Sequence, residues 1–170
     1  ALAYARPADA AVSFSAVLAL RPDLWHALVW RGRAYYEAND FPRARADLDG
    51  ALALAPDDVA ALVLRGLTLF RLGQHAAAEA DLTRALERGA TATRVYFIRA
   101  QVRAARRDAA GAAADRAEGL RRTPADELSW VARGVARQAA DPKGALGDLA
   151  EALKLNPLSR EAAQNTAATL

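Results

Sequence analysis

A chain of 170 residues with 23 basic and 20 acidic side chains has a net charge of +3, too weak a balance to imply a nucleic-acid partner by itself. It contains no cysteine, which excludes a disulfide framework and a thiolate metal site. The apolar run from Val59 to Leu64 is broken at Arg65, short of the roughly 20 residues that span a bilayer, so a soluble, cytoplasmic chain with no membrane contact is expected.

Alanine is the commonest residue and only seven prolines interrupt it, a composition that favours helix. The chain begins at Ala1 rather than Met, with no charged-then-apolar leader, and reads as a slice of a longer protein. Residues 1–24 carry the second half of a repeating unit: Ala10, Phe14 and Pro22 have the spacing of Ala44, Leu48 and Pro56. Val17 is bulkier than its counterpart Ala51, and Pro7 falls in the first helical turn, where a missing N–H costs nothing. Residues 25–58 hold the unit in full, two amphipathic helices broken at Asn39-Asp40-Phe41-Pro42. Asn39 can take the left-handed conformation that ends the first helix, and Asp40 can cap the second. In residues 59–92 the matching set is Leu62, Gly66, Leu69, Ala78, Leu82 and Ala85, with Gly73 in the place of Asn39 and Gly89-Ala90 in the place of the proline.

Residues 93–126 depart furthest. Tyr96, Ala100, Ala112 and Pro124 hold the register, but Arg103, Arg116 and Gly119 stand where Tyr35, Leu48 and Ala51 stood. Residues 127–159 return to pattern with Trp130, Gly134, Ala145, Leu149, Ala152 and Pro157, after a one-residue deletion in the turn before Pro142. From Arg160 to Leu170 a further helix begins, with Ala167 at the small-residue place.

The period is about 34 residues, and Leu28, Gly32, Tyr35, Ala44, Leu48, Ala51 and Pro56 fall in the order bulky, small, aromatic, small, bulky, small, proline. In this the chain resembles the tetratricopeptide repeat (TPR) family, in repeats of bacterial type rich in Arg-Gly and Asp. The resemblance implies an all-α solenoid of helical hairpins in a right-handed superhelix, one array over residues 1–170 with four full repeats between two half repeats. Each hairpin can bury its apolar stripe only against the next, so the two ends are expected to expose apolar surface available for self-association.

Gly32, Gly66, Ala100 and Gly134 each precede a small residue on the paired helix by 11 or 12 positions. Two helices approach closely only where neither presents bulk, so these are packing positions. A charged pair recurs beside them. Arg31, Arg65, Arg99 and Arg133 are followed by Asp47, Asp81, Asp115 and Asp148 at intervals of 16, 16, 16 and 15 residues. The planar fork of arginine suits a carboxylate, and the spacing predicts an arginine–aspartate ladder between the helix layers that sets register. Partly exposed, each rung would contribute at most about 1 kcal/mol. Two solvated rows are the plainer reading.

Nothing in the sequence points to an enzyme. His26 and His75 lie in different repeats, and neither belongs to a nucleophilic triad, an HExxH or a metal-ligand cluster. No phosphate-cradling glycine motif occurs, and no cofactor is implied. The resemblance instead implies a working surface on the concave wall, lined by the first helix of each repeat. Helical spacing then selects His26, Val29, Trp30, Arg33, Tyr36 and Glu37, followed by Val63, Leu64, Leu67, Phe70 and Arg71. Arg94, Phe97, Ile98 and Gln101 continue the wall, then Leu128, Val131, Val135 and Gln138. Chaperone-binding members of the family clamp a C-terminal carboxylate with Lys and Asn on this wall. Here Val29, Val63, Phe97 and Val131 occupy one such row, which favours an apolar or amphipathic protein or peptide partner. A tight superhelix in which these side chains bury one another is the alternative.

A second candidate lies in the third repeat, where eight arginines run from Arg94 to Arg122 against Asp108, Asp115 and Glu118. Several on one face would suit an anionic partner. The plainer reading makes Arg99 a ladder member, lays Arg103 and Arg116 over alanine-rich packing, and puts the Arg106-Arg107 and Arg121-Arg122 doublets at loops and helix ends. No aromatic interleaves with the doublets, which disfavours single-stranded nucleic acid.

Overall fold

The computed structural model describes residues 7–170, so residues 1–6 of the opening half repeat lie outside the described residues. Ten α-helices and no strand occur among the described residues. They are α1 (Pro7–Leu20), α2 (Trp25–Glu37), α3 (Phe41–Leu54), α4 (Val59–Arg71) and α5 (His75–Glu87), then α6 (Arg94–Ala105), α7 (Ala109–Arg121), α8 (Glu127–Arg137), α9 (Pro142–Leu155) and α10 (Arg160–Thr169). The chain divides into two compact units, Ala1–Ala90 and Thr91–Leu170. No helix of the described residues is long and apolar enough to cross a membrane.

Local chemistry sets the helix ends. Asp40, Asp58, Asp108, Asp126 and Asp141 each accept a hydrogen bond from the backbone N–H three residues on, which satisfies an orphan donor at a helix start. Ser159 caps α10 in the same way. Pro42 and Pro142 sit in first turns, where their lack of an N–H is harmless. At the other end, α2 closes through Asn39 at φ 61° and α4 through Gly73 at φ 74°. In both, the next N–H reaches back to a carbonyl of the last turn, Asp40 to Tyr35 and Gln74 to Leu69, each at 2.8 Å. The corresponding turn after α6 is made by Arg107 at φ 65°, a residue whose sequence carries no signal for it. The turn after α8 has no left-handed residue, as its one-residue shortening requires: Asp141 N–H bonds directly to the Arg137 carbonyl at 2.8 Å.

In the first unit α2 pairs with α3 and α4 with α5, with α1 laid against α2 and α3 against α4. In the second unit α6 pairs with α7 and α8 with α9, and α10 packs on both α8 and α9. Three of these hairpins cross at a glycine. A Cβ on Gly32, Gly66 or Gly134 would stand 3.1, 2.8 or 3.0 Å from Cγ of Leu48, Leu82 or Leu149, all fully buried leucines. The absent side chain is therefore what admits the leucine, worth about 1.5–3 kcal/mol when buried. The second unit has a core cluster of Val131, Leu149, Ala152 and Ala162, with Trp130 and Leu153 against it. On α1, by contrast, Val12 and Leu20 stay exposed.

Candidate functional site on the first-helix face

Each arginine of the 16-residue pattern meets its aspartate across a hairpin through two nitrogens. Arg31 Nε and Nη2 donate to Asp47 at 2.7 Å each, and Arg65 donates to Asp81 at 2.7 and 2.8 Å. Arg99 reaches Asp115 at 2.9 and 2.6 Å, and Arg133 reaches Asp148 at 2.9 and 2.7 Å. The third nitrogen of Arg31 and of Arg65 turns back to the preceding second helix, and that of Arg133 to the residue just past α7. Arg31 Nη1 donates to Ser15 Oγ at 3.2 Å, Arg65 Nη1 to Asp49 at 2.9 Å and Arg133 Nη1 to the Arg122 carbonyl at 2.8 Å. One guanidinium thus ties three helices. The aspartate side chains are only 4–10% exposed and their arginines 11–22%, so the pairs are not solvated rows. Hydrogen bonding to Asp47 and Asp81 raises the Arg31 and Arg65 guanidinium pKa values against the opposing effect of burial.

Along the exposed faces of α2 and α4 lie aromatic and cationic side chains. Trp30 is 49% exposed, and Arg33 lies over its ring at 5.7 Å while pairing with Glu37 at 2.9 Å. Tyr36 meets Phe41 edge-on at 5.6 Å, and Arg71 lies 4.5 Å over the Phe41 ring. Phe70 is tilted against His75 at 5.4 Å, and His26 stacks on Trp25. Val29, Leu64 and Leu67 are half-buried. Phe41 and Asn39 belong to this surface although spacing along the first helices does not select them, because they enter from the turn and the start of α3. An aromatic directly after a capping aspartate is the signal that could have identified Phe41.

The valine row is different. Val63, Phe97 and Val131 are 8%, 6% and 1% exposed, which corrects the expectation that they line an open wall. Val131 belongs to the core cluster beneath α10, and Phe97 presses against Gly119, where an added Cβ would stand 2.7 Å from the ring. In the second unit Leu128 and Val135 are exposed, Gln101 is exposed and Ile98 is half-buried. Gln138 donates to the Asn165 carbonyl and Thr169 Oγ1 of α10, so it is engaged rather than open.

The third repeat's arginines are largely spent inside the second unit. Arg94 Nη1 donates to Asp126 at 2.6 Å, and Arg103 pairs with Asp115 at 3.1 Å. Arg116 donates to the Ala136 carbonyl. Arg103 and Arg116 therefore end on oxygens instead of merely covering alanines. Arg121 and Arg122 converge on Glu118, and their hydrogen bonds hold that carboxyl below the usual range. An aromatic does accompany one doublet, since Arg122 lies 4.7 Å over Tyr96. Among the described residues no group of three or more His, Asp or Glu side chains is placed to hold a metal ion.

The tetratricopeptide repeat family profile matches residues 1–59, 31–93 and 63–127. No curated protein matches the chain. Among solved structures, TTC0263, a thermophilic TPR protein of Thermus thermophilus, superposes with a TM-score of 0.76 at 18% identity, over 96% of this chain and 90% of that one. MamA gives a TM-score of 0.66 at 17% identity, over 95% of this chain and 90% of its own. YrrB, described as a TPR protein with an unusual peptide-binding site, gives 0.62 at 17% identity over 94% and 83%. At these identities the likeness speaks for the fold. The family matches together cover residues 1–127, more than half of the chain, and the chain belongs to the tetratricopeptide repeat family.

Proposed function

We propose that the chain is a protein-interaction scaffold, and that the exposed first-helix face of α2 and α4, the groove wall expected from the sequence, takes an apolar or amphipathic segment of a protein or peptide partner. The observation that carries this reading is Trp30, half-exposed on a helix whose other large apolar side chains are partly buried, with Tyr36, Phe41 and Phe70 partly exposed in the same two hairpins. Exposed aromatics supply much contact area at little entropic cost and dominate binding energy where they occur. That YrrB is described as having a peptide-binding site supports the class of partner. The arginine–aspartate ladder, on this reading, holds the first helices in register and takes no part in binding. The arginines of the third repeat are mostly neutralised within their own unit, which disfavours them as an anion or nucleic-acid surface.

The test is selection of a displayed random 12-mer peptide library on the purified chain, followed by titration of the enriched peptides. Apolar sequences should be enriched, and both Trp30→Ala and Phe70→Ala should weaken them by about tenfold, equivalent to 1.4 kcal/mol, with little dependence on salt. Binding that is indifferent to both substitutions, in variants with unchanged helical circular dichroism, would remove the reading.

A further inference from the structure

In the first unit, arginine and carboxylate are matched with one exception. Every other arginine among residues 7–90 has a side-chain carboxylate at 3.4 Å or less, from Arg21 with Asp23 to Arg88 with Asp57. Arg71 has none among the described residues. It is the last residue of α4, exposed, and its one oxygen partner is the neutral side chain of Asn39, at 3.4 Å from Nη2. A guanidinium has five N–H donors, so most of the fork is left to water. The Phe41 ring, 4.5 Å beneath the guanidinium carbon and itself met edge-on by Tyr36, holds that fork as a plane. A weakly hydrated, delocalised cation already lying on a ring loses little freedom and little hydration when it pairs. The same register place on α2 is filled by Glu37, which pairs with Arg33, so of these two first-helix cations one is satisfied, beside exposed Trp30, and the other is not.

We propose that Arg71, oriented by Phe41, is an acidic-residue-reading position, which takes the side-chain carboxylate of an Asp or Glu in a bound segment while a neighbouring apolar residue of that segment lies on Tyr36. The inference rests on the scaffold reading and adds to it a charged specificity element. A side-chain carboxylate is the source because the platform is open among the described residues: Arg71, Asn39 and Glu37 are all exposed, which suits a chain that continues past the contact. The pairing would repeat the two-nitrogen geometry that the chain uses four times internally at 2.6–2.9 Å.

The experiment uses fluorescein-labelled decapeptides with amidated C-termini, each a leucine-alanine host with one guest Asp, Asn, Glu or Gln at each interior position, titrated by fluorescence polarisation against the whole chain. At the best position the acidic guest should bind about tenfold tighter than its amide, the effect of one charge-assisted pair, and high salt should shrink that preference. Arg71→Gln should abolish the preference while leaving the amide peptides' affinity unchanged, and Trp30→Ala should weaken acid and amide alike. Arg71→Lys should retain only part of the preference, because a point charge lacks the fork. An acid preference that survives Arg71→Gln, or no preference alongside Trp30-dependent binding, overturns the inference and leaves the scaffold reading standing. A control series with free C-termini and no acidic guest overturns it too, if Arg71 matters only there. Absence of binding by every peptide removes both.

Discussion

The hairpins α4–α5 and α6–α7 each sit within their own unit, have the same register and draw the bulk at their crossing from opposite helices. In α4–α5 the bulk comes from the second helix: Leu82 lies on Gly66, while Val63 and Ala85, both buried, stand one 34-residue period before Phe97 and Gly119. In α6–α7 the bulk comes from the first helix, where the Phe97 ring lies on Gly119 and the leucine's place is taken by Arg116. The ladder is inverted in the same sense. Arg65 divides itself between Asp81 and Asp49, whereas Asp115 gathers Arg99 and Arg103. What the repeat requires is filled volume and balanced charge at the crossing; which helix supplies each is open to exchange.

Removing the gathered carboxylate should give the largest effect. Asp115→Ala removes a carboxylate that two guanidiniums share at a site only 5% exposed, and the loss should be about 3–5 kcal/mol by urea unfolding. Asp81→Ala leaves Arg65 with Asp49 at 2.9 Å, and should cost about 1–3 kcal/mol. Equal losses would mean that the two rungs are alike after all and that the inversion has no energetic content.

The hairpins themselves were legible in the sequence because their determinants are local: an aspartate ahead of most second helices, glycine or asparagine after the first, and small residues at the crossing. The interval between Arg65 and Asp81 also suffices to bring them face to face, since a turn of fixed length folds one helix back on the other. The open surface was less legible. Val63 and Trp30 both lie off the main packing row of a first helix, and only the neighbouring helices decide that one is 8% and the other 49% exposed. Phe41 escapes any reading confined to first helices. Arg116 cannot be placed from composition, because its partner is the Ala136 carbonyl of another repeat.

The exchange of bulk is tested next, by a cycle that converts the third repeat to the arrangement of the second. Gly119→Ala alone drives a Cβ into the Phe97 ring and should cost about 1–3 kcal/mol. Phe97→Val alone leaves a void and should cost a similar or larger amount, about 2–3 kcal/mol. Together they recreate the Val63 and Ala85 pair and should recover at least about 1 kcal/mol of the summed loss, seen as coupling between residues in contact. Strict additivity would show that the ring and the glycine are not a matched pair.

The turns give the smallest and most local contrast. Gly73 and Arg107 occupy the same place in the two hairpins, at φ 74° and φ 65°, and both let the following N–H reach the last turn, Gln74 to Leu69 at 2.8 Å and Asp108 to Arg103 at 2.9 Å. A side chain in the left-handed region crowds the backbone by about 1–2 kcal/mol, part of which glycine returns through its greater freedom in the unfolded chain. Arg107→Gly should therefore raise stability by up to about 1 kcal/mol, and Gly73→Ala should lower it by about the same amount. Nothing lies within 4 Å of where a Cβ on Gly73 would stand, so any loss there is conformational and not steric. Urea midpoints that move in opposite directions for the two variants, with unchanged slopes, would isolate that backbone term; a stabilisation absent from Arg107→Gly would mean that the arginine side chain compensates its own strain.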